Sequence, residues 1–381
     1  MHKGQSEKES QEEVLQDPTM SISQSYALEQ SREDFLLGKH DVSTDCDPPE
    51  TTHKRQQASI LGKSLDQDEY LPAKLSCAHD GDVTSTLDGQ KSVLYLAYGS
   101  NLASATFLGM RGIRPLSQLG VIVPGLRLTF DLPGVPYIEP CFAGTHFRHD
   151  AVDDKADQGE EKDASEKHSL LKAERIDQDR YRGPLIGVVY EVTLSDYAKI
   201  IATEGGGRGY KDIVMTCYPF PDTYDPAEPI PEHPGTQPLK AHTLLSPAGM
   251  QELMRIKGEP SANVNIPRRP CCAQPSARYL NLITTGAAEH NLPLAYREYL
   301  AQLQPYRITS MRQRMGMVVF MMTWAPLIMT VLALSRIFAR PDGRSPEWVG
   351  RLSDFVSTRM WSSYDNVFVH IFGDGEKTIE R

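Results

Sequence analysis

A short apolar strand that ends at a glycine turn is the first part of this chain that could support chemistry. Strand Val93–Ala97 runs directly into the turn Tyr98–Asn101. Ser100 or Asn101 can cap a helix that begins near Leu102, and the first-turn N–H groups and the positive end of the helix dipole then face outward. The pattern predicts a cradle for a small anion or an oxyanion, although an ordinary capped turn has the same residues.

A carboxylate at the end of a predicted helix is the second candidate. Ser195 is a suitable N-cap, Tyr197 and Ile200 contribute to an apolar face, and Gly205 is a suitable C-cap. Glu204 therefore occupies the last turn, where the helix dipole is negative. A carboxylate held there can take up and return protons, but a surface glutamate at a frayed helix end fits the same pattern.

Three segments in a fixed order resemble the γ-glutamylcyclotransferase family. They are YLAYGSNL from Tyr95 to Leu102, the run Ile200–Gly205 with Tyr210 shortly after it, and the segment from Pro275 to Tyr296. The resemblance covers roughly residues 92–307, a little over half of the chain. The pair Ser100-Asn101 is similar to the γ-glutamyl-amino-acid branch, and the whole chain resembles a fungal-type long form with a C-terminal membrane segment.

This resemblance implies an α+β fold, a small mixed β-barrel with flanking helices. It also implies the site residues. Glu204 becomes the proton-shuttling general base and acid, and Tyr279 reaches the substrate through its hydroxyl unless it only packs a helix face. The implied substrate cradle consists of Tyr95, Leu96, Ala97, Tyr98, Gly99, Ser100 and Asn101.

The reaction that the resemblance implies is an intramolecular cyclisation. The α-amine of a γ-glutamyl-amino acid attacks its own γ-carbonyl and releases 5-oxoproline and a free amino acid. Because the nucleophile belongs to the substrate, the protein has only to orient the glutamyl arm and move protons. No cofactor is required by this chemistry, and the sequence contains no motif for one.

Composition and charge exclude several other classes. The net charge of −10 argues against nucleic-acid binding, and the eleven histidines show no metal-ligand spacing. The six cysteines form no CxxC pair, which predicts free thiols; the adjacent Cys271 and Cys272 leave a redox-sensing role open. A glycine-rich run, 205–209, is not a phosphate loop because no Gly-Lys-Ser/Thr follows it and no strand precedes it.

The distribution of polar residues predicts one folded domain with long flanks. Residues 1–91 are rich in Ser, Gln, Glu and Asp and predict a disordered arm, and no apolar segment follows the first basic residues, so we expect the chain to start in the cytosol. Within the domain at 92–307, the acidic run 149–181 predicts a solvated insert and the proline-rich stretch 219–238 a loop. Apolar strands are predicted at Gly120–Asp131, ending at the Leu132-Pro133-Gly134 turn, and at Leu185–Val192.

The C-terminal quarter departs from the family. The uncharged run Gly316–Ser335 is long enough to cross a bilayer and has few polar residues, although a buried core helix of that length remains open. Arginines flank both ends, so the positive-inside rule does not fix the orientation. We expect a single-pass membrane protein whose catalytic domain faces the cytosol, with the tail 336–381 on the far side or along the interface.

Two alternatives remain at this stage. The enzyme could act on glutathione or on a γ-glutamyl adduct from secondary metabolism, because the two large loops can reshape the leaving-group pocket. The second alternative is a membrane-tethered module that binds the ligand without turnover. The presence of Glu204 argues against it, because a site that only binds has no use for a proton-transferring carboxylate. The sequence does not determine the leaving group, the membrane involved, or whether the domain is a homodimer.

Overall fold

The computed structural model describes residues 48–69, 71, 92–148, 183–204, 210–232, 234–246, 249, 273–338, 340 and 344–379. The acidic insert 149–181, the glycine run 205–209, Cys271 and Cys272 lie outside these residues. The strands are β1 (Ser92–Ala97), β2 (Ser117–Val123), β3 (Leu126–Val135), β4 (Glu139–Phe147), β5 (Leu185–Thr193), β6 (Lys211–Pro219) and β7 (Leu239–Leu245). The helices are α1 (His53–Ala58), α2 (Leu194–Thr203), α3 (Ala277–Glu289), α4 (Leu294–Gln302), α5 (Met311–Ile337), α6 (Glu347–Ser363) and α7 (Val369–Phe372). All described residues belong to one unit, Asp45–Arg381.

A closed barrel of five strands forms the core of the catalytic part, in the order β1-β5-β2-β6-β7. Neighbouring strands are antiparallel except β7 and β1, which run parallel and close the barrel. Every residue of β1 is buried, and most of β5 is too, because both strands are apolar runs. The predicted α+β fold with a small mixed barrel and flanking helices is confirmed.

The strand predicted at Gly120–Asp131 is in fact two strands. A turn at Pro124 and Gly125 ends β2, and β3 leaves the barrel and pairs with β4, its one partner among the described strands. The prediction of a turn at Leu132-Pro133-Gly134 was also wrong. Pro133 lies within β3 opposite Cys141, and a two-stranded sheet tolerates it because each strand has an edge where no N–H is needed.

The segment after β1 does not form the α-helix that the sequence suggested. Ser100–Leu102 is a short 3₁₀ turn whose N-cap, Gly99, has no side chain to cap it, and a π-helical turn follows at Ala105–Met110. Helix α3 packs directly on this 3₁₀ turn. At Gly286 in α3, a Cβ atom would lie 2.4 Å from the carbonyl carbon of Leu102, so only glycine permits this contact.

Residues 48–69 pack on the barrel, which differs from the expectation of a disordered arm over 1–91. The buried Asp66 carboxylate accepts the Leu94 N–H at 2.7 Å and pairs with Arg55 at 2.7 Å. Arg55 also reaches Glu191 of β5 at 2.9 Å. The polar composition was misleading because these residues are held by hydrogen bonds and ion pairs rather than by a core of their own.

The C-terminal region forms a helical hairpin. Helix α5 contains the predicted run Gly316–Ser335; its mean hydropathy of 2.1 over an 18-residue window makes it long and apolar enough to cross a membrane. Helix α6 returns along α5, and the chain then contacts the catalytic part again, where the Gln274 N–H donates to the Glu376 carbonyl at 2.9 Å.

Candidate active site

A small cavity lies where the turn after β1 meets the end of α2 and the start of α3. It brings together side chains from parts of the chain that are far apart in sequence. The lining residues are Tyr95, Tyr98, Gly99, Ser100, Asn101, Ala143, Glu204, Tyr210, Leu244 and Tyr279.

Glu204 occupies the C-cap position of α2, directly after the last helical residue. The helix begins at Leu194, and its N-cap is Thr193, whose hydroxyl accepts the Asp196 N–H at 3.1 Å; the sequence had suggested Ser195. The Glu204 side chain is 18% exposed, so its carboxylate is mostly shielded from water. A carboxylate in such a place needs donors to compensate for lost hydration.

Two side chains donate to the same oxygen of Glu204. Arg111 Nη2 lies 2.5 Å from Oε1, and Asn101 Nδ2 lies 3.2 Å from it. Among the described residues, no hydrogen bond reaches Oε2 of this carboxylate. Oε1 is therefore held by two donors, and no described residue competes for Oε2.

Arg111 is itself anchored to α2. Its Nη1 donates to the Thr203 hydroxyl at 2.5 Å, and that hydroxyl in turn donates to the carbonyls of Lys199 and Ile200. The Arg111 side chain is 10% exposed. One guanidinium thus connects the last turn of α2 to the carboxylate beyond it and supplies a compensating positive charge.

Asn101 connects Glu204 to the barrel interior. Its Nδ2 donates to the Tyr95 hydroxyl at 2.9 Å as well as to Glu204. Its Oδ1 is buried and accepts no hydrogen bond from the described residues. An unsatisfied buried acceptor is costly, which indicates that a ligand donor can occupy this position.

The remaining tyrosines fix the cavity walls. Tyr98 donates to the Leu244 carbonyl at 2.6 Å, and Tyr210 donates to the Ala143 carbonyl at 2.9 Å. Tyr279 accepts the Ala143 N–H at 3.1 Å. Burial raises the pKa of Tyr95, Tyr98, Tyr210 and Tyr279, so these phenols stay neutral at physiological pH.

Of the residues that the sequence analysis assigned to the site, some line the cavity and others do not. Tyr95, Tyr98, Gly99, Ser100, Asn101, Glu204 and Tyr279 all line the cavity. Leu96 and Ala97 do not line it, because both are fully buried in the barrel core. Gly99 lies close to α3: a Cβ there would be 3.3 Å from the Tyr279 hydroxyl oxygen.

Sequence reasoning did not identify Arg111 or Ala143 as part of this site. Arg111 lies 93 positions before Glu204, directly after the π-helical turn, and belongs to no motif. Ala143 enters through β4, the second strand of the unexpected β3–β4 hairpin. Tyr210 was noticed as part of the resemblance but was not assigned to the site. Among the described residues, no group of three or more His, Cys, Asp or Glu side chains could hold a metal ion.

Comparison with known proteins shows what the chain as a whole is similar to. A family model described as the AclK C-terminal domain matches residues 310–371, which correspond to the helical hairpin. The chain is 31% identical to γ-glutamyl cyclotransferase gliK of Aspergillus fumigatus over 76% of this chain and 91% of that protein. It is also 31% identical to γ-glutamyl cyclotransferase aclK of Aspergillus oryzae, over 76% of this chain and 92% of that protein.

Among solved structures, one described as a γ-glutamyl cyclotransferase is similar at 18% sequence identity with a TM-score of 0.34. The match covers 57% of this chain and 92% of that one.

Proposed function

Because this chain belongs to the γ-glutamyl cyclotransferase family, we propose that it releases 5-oxoproline and a free amino acid from a γ-glutamyl-amino acid. The substrate's α-amine attacks the γ-carbonyl carbon, and the bond from that carbon to the amide nitrogen breaks. The amino acid that carried the amide nitrogen leaves as a free amine. No water is consumed. The observation that supports this most strongly is the partly shielded Glu204 carboxylate in the same cavity as the turn Tyr98–Asn101.

Glu204 is the proposed general base and acid. Its Oε2 accepts a proton from the substrate's α-ammonium, and the same carboxyl group returns a proton to the departing nitrogen. The fixed position of Oε1 supports this role, because a base that is already oriented avoids the cost of ordering during the reaction.

The turn after β1 is the proposed oxyanion cradle. The first N–H groups of a 3₁₀ turn have no carbonyl partner within the turn, so those of Ser100 and Asn101 can donate to the γ-carbonyl oxygen as it gains charge. The buried Oδ1 of Asn101 is assigned to an N–H of the substrate, which removes its unsatisfied state. Tyr279 offers its hydroxyl to the glutamyl carboxylate.

Glu204→Gln tests the chemistry, since the amide is nearly isosteric but cannot take up the proton. The wild-type chain and the variant are incubated with γ-glutamyl-alanine, γ-glutamyl-lysine isomers and glutathione, and 5-oxoproline is quantified by mass spectrometry. We expect release by the wild type and a loss of at least about 100-fold in the variant. Release by the variant within tenfold of wild type would remove Glu204 from the mechanism.

The substrate panel also addresses the leaving group. A clear preference for the γ-glutamyl-amino acids supports the proposed substrate class, whereas preference for glutathione supports the alternative. A folded wild-type chain that binds but releases nothing from any of them would favour a binding module without turnover.

Helix α5 is the proposed point of membrane attachment. It is 27 residues long and only 17% buried in its most apolar 18-residue window, so most of its apolar surface is not used in packing. We propose that the catalytic part faces the cytosol, where γ-glutamyl substrates are supplied.

A further inference from the structure

The two arms of the C-terminal hairpin are paired along their whole length. At the base, Arg312 of α5 donates to the carbonyl of Ile371 and, at 3.1 Å, to that of His370. Near the middle, Trp324 Nε1 donates to the Ser363 hydroxyl at 3.0 Å. At the far end, the rings of Phe338 and Trp348 make an edge-to-face contact with centroids 5.3 Å apart. The position that α5 takes at a membrane therefore also determines the position of residues 347–372.

A stripe of apolar side chains runs along α5 on the face away from α6. Its members recur at helical spacing and are between 48% and 77% exposed. Residues on the opposite face, such as Gln313, Gly316 and Phe320, are buried instead. The stripe consists of Met311, Met315, Val318, Met322, Met329 and Leu332 and is called the methionine stripe below.

The outward face of α6 has a different character. Thr358, Arg359 and Ser362 are exposed there, midway along the hairpin, and the Arg359 guanidinium lies over the exposed ring of Phe355. Asn366 is exposed in the π-helical turn Tyr364–Phe368 that follows α6. If the hairpin crossed a bilayer, these side chains would lie in the hydrocarbon core, where an arginine and an amide are costly. An arrangement that inserts the methionine stripe and leaves α6 in water avoids this cost.

Positive charge surrounds the methionine stripe. The segment from Arg307 to Arg344 contains six arginines and one acidic residue, Asp342, in a chain whose net charge is −10. Arginines next to an apolar helix face are suited to anionic headgroups while the apolar face enters the acyl chains. The charge distribution thus favours an anionic lipid surface as the partner.

We propose that the hairpin lies along an anionic membrane surface, with the methionine stripe in the outer acyl region and α6 facing water. Both ends of the hairpin and the catalytic part are then on the same side of the membrane. This inference rests on the proposed membrane attachment of α5 and replaces a spanning geometry with an interfacial one. The chain's return to the catalytic part at Gln274 agrees with it.

The tryptophans provide a direct test. All three tryptophans of the chain, Trp324, Trp348 and Trp361, lie in the hairpin, so its fluorescence reports on this element alone. Trp324 is the fourteenth of the 27 residues of α5, which would place it at the bilayer centre in a spanning helix. In an interfacial hairpin it stays near the headgroups.

The full-length chain with Trp348→Phe is bound to vesicles that contain phosphatidylserine and phosphatidylcholine brominated either near the glycerol end or near the terminus of the acyl chain. We expect stronger quenching by the shallow bromines. Stronger quenching by the deep bromines would overturn the interfacial geometry while leaving membrane attachment intact.

A matched pair of variants tests the surface. Met315→Lys with Met322→Lys places two charges in the methionine stripe, and Thr358→Lys with Ser362→Lys places the same charges on the outward face of α6. We expect the first pair to lower sedimentation with phosphatidylserine-containing vesicles about tenfold or more, and the second to leave it unchanged or raise it. Circular dichroism and thermal unfolding verify that both fold.

Equal losses in the two pairs, or no wild-type binding to these vesicles, would overturn the proposal. A doubled molecular mass in solution together with no vesicle binding would indicate a second copy of the chain on the methionine stripe instead. None of these readouts depends on 5-oxoproline release, so a failure here is distinguishable from a failure of the proposed reaction.

Discussion

Replacing Arg111 by methionine should lower the catalytic rate although Arg111 does not line the cavity, because Arg111 acts through its contact with Glu204. The variant removes the donor at 2.5 Å from Oε1 and the contact with Thr203, while Asn101 still donates at 3.2 Å. A hydrogen bond to a charged group contributes about 1.5–3 kcal/mol, and both side chains are too shielded for water to replace it fully. Since about 1.4 kcal/mol corresponds to a factor of ten, we expect kcat/KM to fall roughly 10- to 100-fold.

A matched arginine variant separates this role from a general loss of structure. Arg114→Met is the control, because Arg114 is a nearby exposed arginine, and it should leave kcat/KM unchanged. The assay is 5-oxoproline release, and thermal unfolding verifies that both variants fold.

A double variant completes the test. If Arg111 acts through the carboxylate, adding Arg111→Met to Glu204→Gln should cost little further activity, and the two effects should not add. The reasoning is refuted if Arg111→Met retains more than about a third of wild-type kcat/KM. Full additivity of the two substitutions would contradict it as well.

Three further predictions concern the supports of the site. Asp66→Ala leaves Arg55 without its buried partner and should reduce the free energy of unfolding by about 3 kcal/mol in urea titrations; loss below about 1 kcal/mol would contradict this. Burial acts to raise the pKa of Glu191, but hydrogen bonds and the charge of Arg55 outweigh it and hold that pKa below 4.5, so the stabilisation is present above this pH and is lost as pH falls through the lowered value. Glu191→Gln should therefore show a flatter decline in stability from pH 5 to 3 than wild type. Tyr279→Phe removes the acceptor of the Ala143 N–H and should lower kcat/KM about tenfold at an unchanged fold, as measured by 5-oxoproline release; an unchanged kcat/KM would assign Tyr279 to packing alone.

Local patterns were sufficient where one short segment determines its own structure. The buried strands β1 and β5 are continuous apolar runs, and the apolar face of α2 was enough to predict a helix that ends at Glu204, although its N-cap is Thr193 rather than Ser195. The turn after β1 could be placed but its geometry could not. Helix α3 packs on this turn at Gly286, 184 residues further along the chain, and no local pattern around Leu102 encodes that contact.

Other elements required tertiary contacts that no pattern in the sequence encodes. Arg111 meets Glu204 only once the barrel has formed, and a single arginine after an apolar stretch has no distinctive spacing. The segment 48–69 looks disordered by composition because Arg55 and Asp66 obtain their partners from the barrel. The course of α6 was missed because an amphipathic helix of mixed polarity does not reveal which neighbour it will pair with.

The unequal treatment of the two Glu204 oxygens has a stereochemical consequence for the proposed reaction. In a ring closure at an amide carbon, the incoming and outgoing nitrogens become geminal substituents of one tetrahedral centre. One carboxylate oxygen beside that centre can take a proton from the incoming nitrogen and, after a small rotation, give a proton to the outgoing nitrogen. A second acid on the opposite side of the centre is therefore not needed. Compounds that mimic this tetrahedral centre should therefore bind most tightly when both nitrogen positions face the Glu204 carboxylate. An epimer in which one nitrogen points away from that carboxylate should bind more weakly.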